Sequence, residues 1–405
     1  MTLATRRVLT AMSEAAQPAA SGLREAGPQR MPSVEIDRSA LVRNWRRVAA
    51  RQPNARTGAA VKCDGYGLGA AEVARALHEA GCRDFFVAWP EEGGIVRQAI
   101  EALSDTPESR IYVLQGIEPD AIELFRQERL IPVLSSRDDI AIWTEGASRP
   151  GDRPIAALQV ETGMNRLGID DQDLDFVAAL VASGDLKTGL LLSHLASADE
   201  SREQTGSQFR RFNEIAERFP DVERSLANSA GVFCGPEFGF ELTRPGIALY
   251  GGRGSLPDDC GIEPVATLTA AVLQIRTAKA GEAVGYGGTV RLSRPTRIAT
   301  IGMGYGDGYR RALSGDHAAT RPDLPTPSAF LHGHRVPILG RISMDLVLLD
   351  VSDLPEGRVQ PGDRAEFFGP NVPIDEVARA AGTIAYEMLT GLGPRVYRRW
   401  SQGTN

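Results

Sequence analysis

From Val34 to Tyr250 the sequence keeps a single rhythm, and near residue 265 it abandons it. Short apolar runs of β character alternate with helical stretches: Ala59–Val61 then Ala70–Ala80, Phe85–Ala88 then Glu91–Ala102, Ile111–Leu114 then Ala121–Gln127. Ile131–Leu134, Ile155–Val160, Gly189–Ser193 and Gly246–Tyr250 read as further strands, with Gln172–Ser183 and Arg202–Arg218 as helices. Strands alternating with helices build parallel βα units. Roughly eight such units in about 230 residues suit a closed barrel better than an open sheet, and no run forms a glycine-rich dinucleotide fingerprint. Beyond residue 265 the runs Ala266–Gln274, Arg297–Gly302, Arg335–Ile338 and Leu346–Asp350 are strand-like and separated by Gly- and Pro-rich turns; a helical run returns only at Ile374–Ala381. The expected class is α/β: a (β/α)8 TIM-like barrel over residues 33–264, then a mainly β C-terminal domain over residues 265–405. Residues 1–32 read as a disordered extension.

Composition narrows the function classes. At 405 residues the chain is long enough for two cores. A net charge of −7 leaves no electrostatic footprint for nucleic acid or an anionic membrane, so any basic site must be local. Cys63, Cys82, Cys234 and Cys260 are widely spaced, which argues against a disulfide framework and against a structural metal site. No apolar run reaches membrane-spanning length, and the apolar stretches of the first thirty residues are too short for a signal peptide. The expected compartment is the cytoplasm.

One segment carries chemistry: Val61-Lys62-Cys63-Asp64-Gly65-Tyr66-Gly67-Leu68-Gly69. A strand over Gly58–Lys62 leaves an ammonium at its C-terminal end, where the chain turns through three glycines into a helix. Burial lowers a lysine's pKa and makes it a nucleophile, as a lysine that carries pyridoxal phosphate (PLP) requires. A lysine marking a strand end and facing water fits the same segment.

Further motifs follow in order. They are Glu161-Thr162-Gly163-Met164-Asn165-Arg166-Leu167-Gly168, Ser193-His194-Leu195-Ala196, Asn228-Ser229-Ala230 and Arg244-Pro245-Gly246-Ile247-Ala248-Leu249-Tyr250-Gly251. In the second half come Val284-Gly285-Tyr286-Gly287, Gly304-Tyr305-Gly306-Asp307-Gly308-Tyr309, Gly340-Arg341-Ile342-Ser343-Met344-Asp345, Tyr386-Glu387 and Arg395-Val396. Together they resemble the alanine racemases, PLP-dependent enzymes, from about Val34 to Trp400.

The resemblance implies an activity: interconversion of L- and D-alanine by two bases, for peptidoglycan supply or for alanine catabolism. Lys62 would hold PLP as an internal aldimine and act as one base. Tyr286 would be the other; a phenol of pKa near 10 needs a cation beside it, for which Arg166 is the candidate. Arg244 would face the pyridine nitrogen, where an always-charged group disfavours protonation and so suppresses transamination. Tyr66, Ser229, Gly246, Ile247 and Tyr386 would hold the phosphate, and His194 would stack on the ring. Met344 and Asp345 would meet the substrate carboxylate, and Tyr305 would narrow the entrance. In this family the two domains meet across subunits, so the resemblance implies a homodimer with composite sites and no nucleic-acid or membrane partner.

The chain departs from the family pattern at four places. Gln159 stands where many members carry a carbamylated lysine, which leaves open what orients Arg166. Glu161 replaces an aspartate. Ser225 occupies the place of a histidine that supports Arg244. Cys63 replaces an alanine and reads as a small buried thiol. Rival readings are a broader-specificity racemase, a PLP-dependent decarboxylase of the same domain plan, and a non-catalytic PLP-binding protein; the last would lack a second domain.

Overall fold

The computed structural model describes residues 30–103, 108–147, 154–316 and 321–402. The expectation of a disordered extension falls largely on residues 1–29, outside those described.

Seven parallel strands form a continuous sheet: Ala59–Ala60, Asp84–Val87, Arg110–Val113, Leu130–Leu134, Ala156–Gln159, Thr188–Leu192 and Glu223–Ser225. An eighth, Leu242–Thr243, pairs in parallel with Arg56–Thr57, which runs through Gly58 into Ala59–Ala60. Backbone bonds from Glu241 N to Arg224 O (3.2 Å) and from Arg244 N to Ala227 O (2.8 Å) join that strand to its other neighbour and close the barrel. The rows that share the inner face with Asp84 and Arg110 carry buried side chains such as Phe86, Tyr112, Val133 and Leu190. The alternate rows, with Phe85, Val113, Leu158 and Leu191, are buried on the outer face, so the barrel is a packed core with its loops available at one end.

Two differences from the sequence reading have physical causes. Gly246–Tyr250, expected as the last strand, is a 3₁₀ turn over Ile247–Tyr250. It is buried because helix Arg38–Arg51 covers it, with Asn44 Nδ2 donating to Leu249 O (3.3 Å) and to Glu263 O (2.8 Å). A short apolar run reports burial and does not report strand geometry. The strand Glu223–Ser225 escaped notice because its side chains are polar. Glu223 pairs with Arg56 (2.6 Å) and Arg224 with Glu241 (2.7 Å).

The strands' first residues form an ion cluster at the N-terminal end of the barrel. Arg56, Asp84, Arg110 and Glu223 each open a strand. The Asp84 carboxylate, almost wholly buried, receives Arg110 at 2.7 Å and Arg56 at 3.3 Å.

The second domain is organised by the strand Ala266–Ala278. Its first half pairs with Ser33–Asp37 and Arg364–Phe368, and beyond a break in register at Val272/Gln274 its second half pairs with Thr296–Ile301. The strand Ser33–Asp37 therefore belongs to this sheet, where it lies between Ala266–Ala278 and Tyr397–Ser401. Helices Ile374–Ala381 and Ala385–Thr390 return the chain toward the barrel mouth. Among the described residues no helix is long and apolar enough to cross a membrane.

Candidate active site

Lys62 follows directly on the buried end of the first barrel strand, where Val61 N donates to Phe86 O (2.8 Å). The next four residues, Cys63, Asp64, Gly65 and Tyr66, all take left-handed backbone angles, with φ of 55°, 52°, 59° and 57°. This conformation costs about 1–2 kcal/mol for each residue that carries a Cβ. Compensating bonds surround it. Gly65 N donates to Val61 O (2.8 Å), Gly67 N to Cys63 O (2.7 Å) and Ala70 N to the Asp64 carboxylate (2.8 Å). Cys63 N donates to the Glu92 carboxylate at 2.6 Å. The turn bends the chain sharply away from the strand axis and leaves Lys62 half-buried at the barrel's C-terminal mouth. Burial lowers the Lys62 pKa, and the cations Arg166 and Arg244 push the same way, against Cys63 and Glu92. The ammonium facing bulk water is not what the fold builds.

Arg244 comes from the end of the eighth strand and is buried. It donates to Ser225 Oγ (2.6 Å) and to the carbonyls of Ser193 and Leu226. All are neutral acceptors. Burial pulls its pKa down to about 9, which still leaves it charged at neutral pH. Ser225 thus orients Arg244, and its own hydroxyl is anchored on Leu242 O. His194, just past the strand Thr188–Leu192, is held down to about pKa 3 by burial and by Arg244, Arg166 and Lys62. It is therefore a neutral ring. Gln208, buried, fixes its backbone by donating to His194 O (2.9 Å) and accepting from Ala196 N (2.8 Å).

Beside these groups lies a cradle of hydroxyls. Ser229 Oγ accepts from Gly246 N (2.9 Å) and Ala248 N (3.2 Å). A Cβ on residue 246 would lie 2.1 Å from Tyr66 Oη, so glycine is required there. Tyr66 stacks on Tyr250 (4.4 Å between centroids) and meets Tyr386 of the second domain at 5.9 Å. Burial raises both the Tyr66 and Tyr386 pKa values, the latter to about 12, so both phenols remain donors at neutral pH. Neutral hydroxyl donors from Ser229, Tyr66 and Tyr386 grouped beside the close approach of Tyr66 to the Gly246 backbone suit a phosphate dianion.

The loop carrying Arg166 is shaped by Glu161. Its carboxylate accepts the amides of Gly163 and Met164 (2.6 Å to the latter). Burial would raise its pKa, yet the backbone N–H groups of Gly163 through Arg166 more than offset that and lower it. Gln159 Nε2 donates to Leu167 O (2.8 Å) from the other side. The backbone around Arg166 is thereby held without a carbamate.

Tyr286, Tyr305, Met344 and Asp345 form a second group, on the sheet domain. Tyr305 N donates to Ser343 O (3.1 Å) and Gly306 N to Met344 O (2.9 Å), which locks the two loops together. Arg395 bridges Asp345 (2.8 Å) and Asp307 (2.9 Å) below them. Tyr286 projects from a turn of positive-φ glycines (Gly285, Gly287, Gly288) and is 69% exposed; Met344 is 54% exposed. None of the groups that act on the Lys62 charge comes from this set.

The sequence comparisons match the same two halves. The family described as "Alanine racemase, N-terminal domain" covers residues 36–254, and "Alanine racemase, C-terminal domain" covers residues 265–400. The chain belongs to the alanine racemase family. An alanine racemase of Rhizobium meliloti is 44% identical over 373 residues, spanning 91% of this chain and 97% of that protein. A biosynthetic alanine racemase of Agrobacterium fabrum is also 44% identical, over 371 residues, 91% of this chain and 93% of its own. The crystal structure of a Bartonella henselae alanine racemase with covalently bound pyridoxal phosphate superposes with a TM-score of 0.83 at 35% identity. It covers 92% of this chain and 99% of that one.

Within this alanine racemase fold, one chain gathers Lys62, Tyr66, Arg166, His194, Ser229, Arg244, Gly246, Ile247 and Tyr386 at the barrel mouth. Tyr286, Tyr305, Met344 and Asp345 are not among the groups that act on the Lys62 or His194 charge. Cys63 departs from expectation. The left-handed turn puts it at the surface, and it is an exposed thiol, not a buried one. Glu92 and Gln208 were missed. Glu92 had a readable signal, since Trp89-Pro90-Glu91-Glu92 places Pro and Glu where a helix start favours them.

Proposed function

We propose that this protein interconverts L- and D-alanine with pyridoxal phosphate held on Lys62, and that it works as a homodimer. The observation that carries the reading is the Lys62 amine, its pKa depressed, at a barrel mouth beside a hydroxyl-rich phosphate cradle and a buried Arg244 with neutral partners only. When bound, PLP supplies an electron-withdrawing ring that acidifies the substrate Cα–H. Ser229 Oγ already accepts two amides, so its proton is free for a phosphate oxygen, and the Tyr66 and Tyr386 phenols donate beside it. The neutral His194 offers a flat face to the ring. Arg244 would face the ring nitrogen; charged at neutral pH, it could not take that proton, which would temper electron withdrawal and favour return of the proton to Cα.

Racemisation requires a base on each face of Cα. Lys62 Nζ takes the proton from D-alanine and Tyr286 Oη takes it from L-alanine, with Arg166 the cation that favours phenolate. Tyr286, with Tyr305 crowding the entrance and Met344 N–H toward the substrate carboxylate, comes from the second subunit. Exposed Tyr and Met side chains grouped on one domain suit such an interface. The four free thiols suit a reducing compartment, and the cytoplasm is the proposed location.

Two experiments test this. D-alanine formation from L-alanine is measured against lysine, serine and arginine as substrates; preference for any of these over alanine would reject the assignment. Inactive Lys62→Ala and Tyr286→Phe subunits are then mixed after dissociation. A composite site predicts that about a quarter of wild-type activity returns, because half of the dimers regain one intact site of two. No recovery from the mixture would place Tyr286 and Lys62 on the same subunit.

A further inference from the structure

The geometry points to Glu92 as the positioning residue of Lys62: its carboxylate gathers amides from two adjacent barrel loops and so holds the left-handed turn that aims the lysine. One oxygen accepts Cys63 N at 2.6 Å; the other accepts Ala88 N at 2.8 Å and Trp89 N at 3.3 Å. Cys63 directly follows Lys62, while Ala88 and Trp89 directly follow the neighbouring strand Asp84–Val87. Glu92 itself sits in the first turn of the helix Pro90–Glu101, a rigid element of the barrel wall.

Three things make this more than a helix cap. A cap needs only the amides of its own helix start, whereas the shortest of the three bonds goes to another loop. That bond lands on the first residue of a four-residue left-handed stretch, a conformation that its surroundings must impose. Glu92 is also the carboxylate among the groups acting on Lys62, facing Arg166, Arg244 and the Cys63 thiol. Glutamine at this position keeps the length but turns one acceptor into a donor, so it can satisfy one loop and repels the other. Aspartate is too short to span both.

The inference rests on the reading of Lys62 as the base for D-alanine. The holoenzyme is compared with Glu92→Gln, Glu92→Asp and, as control, Glu91→Gln, whose exposed carboxylate lies on the same helical turn. Hydrogen–deuterium exchange of peptides covering residues 61–70 should quicken in the Glu92 variants and not in the control. The Kd for pyridoxal phosphate, followed by its visible absorbance, should rise by about tenfold, the size of a lost charge-assisted bond. The decisive readout is the primary isotope effect. With α-deuterated D-alanine it should increase, because proton removal by a misplaced Lys62 becomes slower, while with α-deuterated L-alanine it should stay level or fall. A cap that merely stabilises the helix would lower Tm and leave both isotope effects unchanged or raise them equally; that result overturns the proposal. Should Glu92→Gln not accumulate as folded protein, the same measurements on Glu92→Asp decide. A wild-type protein that washes out no α-deuterium would reject the racemase reading instead, and the exchange measurement, which needs no turnover, would still decide whether Glu92 holds the turn.

Discussion

The two ends of the barrel handle charge in opposite ways. At the N-terminal end Arg56 and Arg110 meet Asp84 and Glu223 within 3.3 Å, and the cluster is neutral. At the C-terminal end Lys62, Arg166 and Arg244 converge, Arg244 has neutral acceptors only, and the nearby Glu161 and Glu92 carboxylates are spent on backbone amides. In a chain of net charge −7, this mouth is a local positive site. One end satisfies its charges within the fold, whereas the other leaves them unsatisfied until an anion arrives. Stability and function should therefore separate along the barrel axis.

The largest effect is expected from Lys62→Ala. It should abolish retention of pyridoxal phosphate, read as loss of the visible band after gel filtration, and lower racemisation by about 10⁴-fold or more. Next, Arg244→Gln should cost about 10²-fold in kcat. The urea midpoint of the cofactor-free protein should hold or rise, since a buried charge with no counter-charge is removed. A large fall in that midpoint would erase the contrast between the two ends. Asp84→Ala tests the other end. It strands two arginines and should cost about 3 kcal/mol in urea unfolding, while kcat per folded molecule is preserved. The last effect is spread over a pH range and leaves stability at neutral pH unchanged. His194 is held near pKa 3 in the fold against 6.5 when exposed, so the unfolded chain binds its proton first. Stability of the cofactor-free protein should decline as pH falls from about 6.5 toward about 3, and His194→Gln should flatten that slope in urea midpoints taken across the range.

Much of this was legible beforehand, for stated reasons. The alternation of apolar runs with amphipathic stretches reports parallel βα units directly, and the helix Ile374–Ala381 was expected with those same bounds. Lys62 was visible because a charge at the end of an apolar run demands explanation, whereas Arg244 was visible only through the family resemblance of Arg244-Pro245-Gly246. Burial of a turn looks like burial of a strand, which is why Ile247–Tyr250 misled, and a strand faced with ion pairs looks like a loop, which hid Glu223–Ser225. The strand Ser33–Asp37 could not be assigned to the second sheet from sequence, because its partners lie more than two hundred residues away. Cys63 was misjudged because four successive left-handed residues have no composition signal when only one of them is glycine. Gln159 and Ser225 looked like losses at the level of residue types, yet each keeps an oxygen or an amide where orientation is needed.

The placement of Ser33–Asp37 between Ala266–Ala278 and Tyr397–Ser401 also constrains how the molecule is made. A ribosome delivers the middle strand of that trio hundreds of residues before either neighbour exists. The barrel can assemble while synthesis continues, but the sheet domain must wait for its last strand, with one edge of the earliest strand kept open until then. The final step of maturation is accordingly the capture of a waiting edge by newly released chain, and a truncation before Tyr397 should leave that edge open to pairing with other molecules.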